Sequence, residues 1–399
     1  MRRIAILIFY TFLTVLTYAQ ADYTRDLDTF AATLISKHKN LFAHITKTQF
    51  DRQIEETRQQ LKNGALDKAH FIIALMKINA QIADEHTLLF PLSSGKFPFE
   101  FYFFNEGIVL VKADSNFKHY LLHELVAIDG TPTAEVLARL KTCIKTDNES
   151  YFKQWSVEYI NYPDVLKGLD IIHSQDSAIF SFKSTDGEVN NVTINTQPKS
   201  APPFSSKKQT GQLRYSQNRN YWYSLDTTRN ILYFNYEHCM EDSTLNFSDF
   251  NTQLFKTIKK NKPTALVLDL RQNGGGNSAI LSSFIKQIRS NYLNTPHKFF
   301  VLIGRQTFSS ALMNAIEIKQ KTSAEFIGEP TGGNMNHFGE LRTFSLPETK
   351  LFITYSTKYF ENWKGKEGPL LPDYAIPNSS ADLLNNQDSC LEMVYQLYK

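Results

Sequence analysis

Two apolar strands that each run straight into a turn capable of chemistry constrain this chain more than any other feature. Ala265-Leu-Val-Leu-Asp-Leu270 leads into Arg271-Gln-Asn-Gly-Gly-Gly276, and Phe299-Phe-Val-Leu-Ile303 is followed shortly by Thr307-Phe-Ser-Ser-Ala311. Runs this apolar are buried on both faces, as in a parallel sheet covered by helices. Ligands of such sheets bind beyond the carboxyl ends of the strands, so the three glycines and Ser309 are expected side by side. Glycine lets backbone N–H groups approach a ligand, and a helix start concentrates unpaired N–H donors and positive dipole. Ser309 is then the candidate nucleophile, with the N–H groups of Gly275 and Ser310 as candidate oxyanion donors. Taken singly, the glycines read as a tight turn and Ser309 as a helix cap. Their placement on consecutive strands favours chemistry, and the residues point to a serine hydrolase.

The alternation extends on both sides of these strands. Strands are expected at 231–236 and 324–327, helices at 248–260, 279–290 and 309–319, and a closing hairpin at 342–346 and 351–355. This is an α/β domain, assigned to residues 221–380. Before it, residues 22–90 read as a helical region. Leu27, Phe30, Ala31 and Leu34 make one stripe, Phe50, Ile54 and Leu61 a second behind a Thr48 cap, and Phe71 to Ile82 a third. Residues 97–198 alternate short β runs (99–104, 108–111, 121–128, 178–182, 192–194) with turns, and a helix is expected at 132–140. A strand, a turn and a helix in that order suit a small α+β, PDZ-like peptide-binding module. Pro, Ser and Lys residues at 199–220 mark a linker. The many Phe and Tyr residues read first as core.

Bulk properties exclude several functions. A net charge of +3 without a basic block gives no reason to expect nucleic acid. Arg2-Arg3, the apolar run from Ile4 to Tyr18 and Ala19-Gln-Ala21 form a basic region, an apolar core and a cleavage site, so residues 1–21 are expected to be a signal peptide. An N-terminal anchor is the weaker reading because the run is short for a span. The expected destination is the periplasm or the exterior. Cys143, Cys239 and Cys390 are too few for a disulfide framework and lack zinc-site spacing, so no metal is expected. Gly-Gly-Gly without a following Gly-Lys-Ser/Thr is no phosphate loop, and no cofactor is expected.

The ordered motifs Asp-Leu-Arg-x-Asn-Gly-Gly-Gly, Thr-Phe-Ser-Ser-Ala and Gly328-Glu-Pro-Thr-Gly-Gly333, with Leu370-Leu-Pro-Asp-Tyr-Ala-Ile-Pro377 after them, resemble the C-terminal-processing and tricorn-core family of serine peptidases. The resemblance covers about Asp226 to Pro377. It implies a core of the crotonase or Clp-protease type, with the nucleophile at Ser309. In the tail-specific branch a lysine follows the Gly-Glu-Pro-Thr segment and acts as base, whereas this chain carries Asn334. An amide takes no proton at neutral pH, so a Ser–Lys dyad at that position is excluded.

The tricorn-like branch implies a histidine base supported by a glutamate. His86, in Asp84-Glu-His-Thr87, is the candidate, since an imidazole both accepts and returns a proton near neutrality. His337 is the runner-up base, and the remaining histidines read as structural or surface. Glu367, in Lys364-Gly-Lys-Glu-Gly-Pro369, matches the supporting glutamate by position. Asp269 and Glu329 read as structural, while Arg271 is either an anchor of the glycine loop or a contact for a substrate carboxylate. The expected function is an exported serine endopeptidase acting on peptides or proteins. The alternatives are a non-catalytic protein that binds peptides or hydrophobic ligands on the same fold, and a crotonase-like acyl-CoA enzyme, which the export signal disfavours.

Overall fold

The computed structural model describes residues 22–90, 95–198, 206–207 and 212–398, a mixed α/β protein. The expected leader at 1–21 and part of the expected linker (199–205 and 208–211) lie outside the described residues. The chain enters helices α1 (Thr24–Lys37), α2 (Lys47–Lys62) and α3 (Lys68–Ile82). Leu27, Phe30 and Leu34 of α1 are fully buried. The α2 cap is Thr46 rather than Thr48. Thr46 and Gln49 form a reciprocal capping box, which Thr48 has no partner to make.

Strands β1 (Phe99–Phe104), β2 (Gly107–Ala113), β3 (Glu124–Ile128), β4 (Ser177–Lys183) and β5 (Val189–Asn195) build an antiparallel sheet. The strand expected at 121–128 starts only at Glu124, because Leu122 sits at φ +67° and breaks the extended run. Helix α4 (Thr133–Leu140) follows β3 as expected. Helix α5 (Glu149–Tyr159) was not foreseen; Asn148 caps it by accepting from Tyr151 N–H. The helices, this sheet and the later hairpin share one hydrophobic cluster, running from Leu27 through Phe180 to Ile353.

Among the described residues, the second large sheet has six strands. In spatial order they are β6 (Tyr221–Asp226), β7 (Ile231–Tyr236), β8 (Ala265–Asp269), β9 (Phe299–Ile303), β10 (Glu325–Gly328) and β13 (Tyr374–Ala375). Only β6 runs antiparallel. Alternate residues face opposite ways. Leu266, Leu268, Phe299 and Val301 pack under α6 (Phe247–Asn261), α7 (Ser282–Ile288) and α8 (Ser309–Lys321). Ala265, Val267, Phe300 and Leu302 meet the C-terminal helix α9 (Ser389–Leu397). The helix expected at 279–290 is a 3-10 turn at Ser278–Leu281 followed by the shorter α7. The hairpin of β11 (Asn336–Ser345) and β12 (Phe352–Glu361) is longer than expected, because it begins directly in the loop after β10.

Helix α1 is tied to the turn of this hairpin. Asp26 in α1 is fully buried, and its carboxylate accepts from the N–H groups of Glu348 and Thr349, both at 2.7 Å. Its removal leaves one buried and one part-buried donor without a partner. Asp26→Ala is expected to cost about 3 kcal/mol in urea unfolding, and Asp26→Asn, which keeps one acceptor, clearly less. Equal stability of all three proteins would show that the tie contributes nothing.

Candidate active site

The parallel register sets Asp269 beside Leu302, so the turns leaving β8 and β9 emerge together. The first turn is held from below. Arg271 donates to both oxygens of Asp269 and, through both terminal nitrogens, to Asp388 at 2.7 and 2.8 Å. Tyr233 donates to Asp269 at 2.6 Å. All four side chains are buried, so Arg271 anchors the glycine loop to the cap of α9. Burial pushes the Asp388 carboxyl up, but the Arg271 guanidinium outweighs it and brings it down to about 2.

Asn273, fully buried, shapes the loop itself. Its side-chain nitrogen donates to the Tyr236 carbonyl at 2.8 Å, and its side-chain oxygen accepts the Gly275 N–H at 3.0 Å. Gly275 has φ +110°, and a Cβ there would stand 2.8 Å from the Cβ of Ser309. The backbone of the glycine loop therefore lies directly against the serine. The serine turn is locked from the other side. Phe308 N–H donates to the Asn273 carbonyl (3.1 Å), Thr307 Oγ1 to the Leu270 carbonyl (2.8 Å) and Ser310 Oγ to the Gly276 carbonyl (2.7 Å). Ser309, half-buried at the first position of α8, has φ +51°. A non-glycine residue there carries strain of about 1–3 kcal/mol, which these bonds hold in place. Among the described residues, the N–H groups of Ser310 and Gly276 donate to no acceptor, whereas that of Gly275 is engaged by Asn273.

His86 lies against this turn. Its ring stacks on Phe308 with centroids 4.6 Å apart and on His337 at 5.3 Å. It is buried, and neither ring nitrogen has a hydrogen-bond partner among the described residues. Burial brings its pKa down to about 4, against the nearby Asp84 charge, so the imidazole is neutral at pH 7. The segment is fixed by Asp84, which accepts from His86 N–H (2.9 Å), Thr87 Oγ1 (2.6 Å) and His38 Nε2 (3.0 Å). His38 Nδ1 accepts from Asn40 N–H, so its proton sits on Nε2. Burial raises the Asp84 carboxyl, but the bond from His38 and the other contacts outweigh this and hold it well below the usual range. Thr354 Oγ1 on β12 donates to the His86 carbonyl at 2.6 Å.

The site thus gathers Ser309, Ser310, Gly275, His86 and His337. No hydrogen bond joins His86 to Ser309 among the described residues. Glu367 is exposed, just before Gly368 and Pro369, which pair with Met335 and Asn334. It makes no hydrogen bond to His86. Asn334 has its side chain held by Asp147 and Asn148 and its N–H by Glu85. Glu329 is structural, taking Arg305 at 2.6 Å and Tyr102 at 2.7 Å, and so joins the β1–β5 sheet to the core. Sequence reasoning missed Glu85, Lys145, Asp147, Asn148 and His38; only proximity to the Asp84–Thr87 motif offered a signal, and only for Glu85. The three cysteines are buried and unbridged, and no group of three or more His, Cys, Asp or Glu among the described residues is placed to hold a metal ion. Among those residues, no helix is long and apolar enough to cross a membrane.

No family model matches the sequence, and no curated protein matches it. Among solved structures, mature CPAF complexed with lactacystin is 13% identical, with a TM-score of 0.65 over 95% of this chain and 97% of that one. A CPAF serine-to-alanine mutant is 12% identical, with a TM-score of 0.65 over 95% and 96%. The tricorn protease is 12% identical, with a TM-score of 0.44 over 95% of this chain and 37% of that one. Over nearly its whole length the chain has the fold of mature CPAF.

Proposed function

We propose that the chain is an exported serine peptidase that hydrolyses peptide bonds through an acyl-enzyme on Ser309. The observation that carries this reading is the strained Ser309, pressed onto Gly275 at the start of α8, with the unpartnered His86 imidazole stacked on the residue before it. In this mechanism His86 takes the Ser309 proton as Oγ attacks the substrate carbonyl. Ser310 N–H and the glycine loop receive the oxyanion. His86 then gives the proton to the departing amine as the C–N bond breaks, and water hydrolyses the ester. Glu367 is the carboxylate assigned to orient the base, from the loop that pairs with Asn334 and Met335. His337 is the alternative base. The same reading takes residues 221–380 as a crotonase-type catalytic domain, 22–90 as a helical region, 97–198 as a PDZ-like module that holds peptide, and 1–21 as a cleaved leader.

A second reading, a non-catalytic binding protein, is favoured by the missing His86–Ser309 hydrogen bond and the exposed Glu367. Labelling of the purified protein with a fluorophosphonate decides between them. Wild type is expected to label, and Ser309→Ala and His86→Ala to lose labelling by a factor of at least about 10³. Labelling kept in His86→Ala and lost in His337→Ala would move the base to His337. A folded wild type that never labels supports the binding protein.

Gly275→Ala combines an unfavourable φ with a 2.8 Å approach to Ser309. It is expected to lower stability by about 2 kcal/mol or more and to abolish labelling, as read by thermal unfolding beside the probe assay. Intact mass of the exported protein is expected to start at Asp22, and retention of residues 1–21 would refute the leader.

A further inference from the structure

Asn334 uses every polar group it has. Its N–H lies 3.2 and 3.0 Å from the two oxygens of Glu85, and its side-chain nitrogen donates to Asp147 at 2.9 Å. Its side-chain oxygen accepts from Asn148 at 3.1 Å, and its carbonyl accepts from His337 Nδ1 at 2.9 Å. A carbonyl only accepts, so His337 carries its proton on Nδ1 and a neutral ring keeps its lone pair on Nε2. Glu85 is almost wholly buried, with Lys145 Nζ 3.5 Å from one oxygen. Lys145 also reaches Asp147 at 3.1 Å. One buried carboxylate is therefore adjacent in sequence to His86 and, through the single residue Asn334, linked to His337, whose ring stacks on His86.

We propose that Glu85, paired with Lys145, is a positioning residue of the Ser309 site: its ionised carboxylate clamps Asn334 and so fixes the His337 imidazole against His86. The proposal rests on the peptidase reading given above. It makes the site responsive to protons through a group that does not touch the reacting atoms. The charged and titratable groups around Glu85 are Asp84 and His86 on its own turn, Lys145 and Asp147 before α5, Tyr151 on α5 and His337 on β11. Burial raises the Glu85 carboxyl to about 7, against the pull of Lys145 and the Asn334 N–H. Burial lowers both histidines, His86 to about 4. Glu85 therefore changes charge near neutral pH. Above about 7 it is ionised and the clamp is closed; below that it is protonated, and both the ion pair and half of its acceptor capacity are lost.

The test is the pH dependence of fluorophosphonate labelling in the full chain, with ¹⁵N-histidine spectra of the unlabelled protein as a second readout. Wild-type labelling is expected to fall as pH drops through about 7. Glu85→Gln keeps one acceptor for Asn334, removes the titration and is expected to flatten this limb, at a rate about ten- to a hundredfold lower. Lys145→Gln removes the opposing charge and is expected to move the limb to higher pH. In the spectra, the His337 Nδ1–H tautomer is expected to give way to a mixture as wild type is acidified through the same midpoint, and to show no such transition in Glu85→Gln. An unchanged acid limb in Glu85→Gln, or a His337 transition that survives it, overturns the proposal. A wild type that never labels but shows the His337 transition overturns the peptidase reading and leaves the clamp standing.

Discussion

The interlock between the turn after β8 and the turn after β9 is the constraint on which the rest of the site depends. Parallel pairing brings the two turns together, but pairing alone leaves them free to splay apart. Asn273 prevents this, holding Gly275 with its side chain and Phe308 with its carbonyl. Once these bonds form, Ser309 has little conformational choice, and its left-handed φ follows from the fit. Arg271 carries the constraint downward into the cap of α9. A distant helix on the opposite face of the sheet thus braces the loop that meets the serine.

The second half of the site comes from another part of the chain. His86 rests between Asp84, which grips its backbone, and Thr354, which grips its carbonyl. His337 arrives on β11, as its second residue. Asn334 joins these pieces because an amide residue offers two donors and two acceptors within a small volume, where a lysine would offer donors on a long stem. Its side chain is fully committed to scaffolding, which agrees with a chemistry that asks nothing of position 334 as a base.

Much of this was legible in the sequence, for stated physical reasons. The strand–turn–helix segments around Gly275 and Ser309 were readable because burial on both faces leaves uninterrupted apolar runs with glycine or serine at their ends. The amphipathic stripes of α1 to α3 were readable for the same kind of reason. Helix α5 was not, since its aromatic-rich sequence carries no clean stripe and its cap doubles as a tether to Thr331 and Gly332. The partners of Asn334 were hidden too. Glu85 and Asp147 look like ordinary surface acids until the chain brings them within 3 Å of position 334. His38 gave no sign of its role, because Asp84 lies 46 residues away.

The tie between the His86 segment and β12 spans 268 residues of sequence. A ribosome must finish most of the chain before Thr354 exists to donate to the His86 carbonyl. Contacts this distant form late, because so much loop entropy must be lost before they return any gain. The half-made chain holds its serine turn and its histidine turn on pieces not yet joined through β12. The histidine turn therefore gains its last tie only after β12 has been made, which sets the order in which the site is completed.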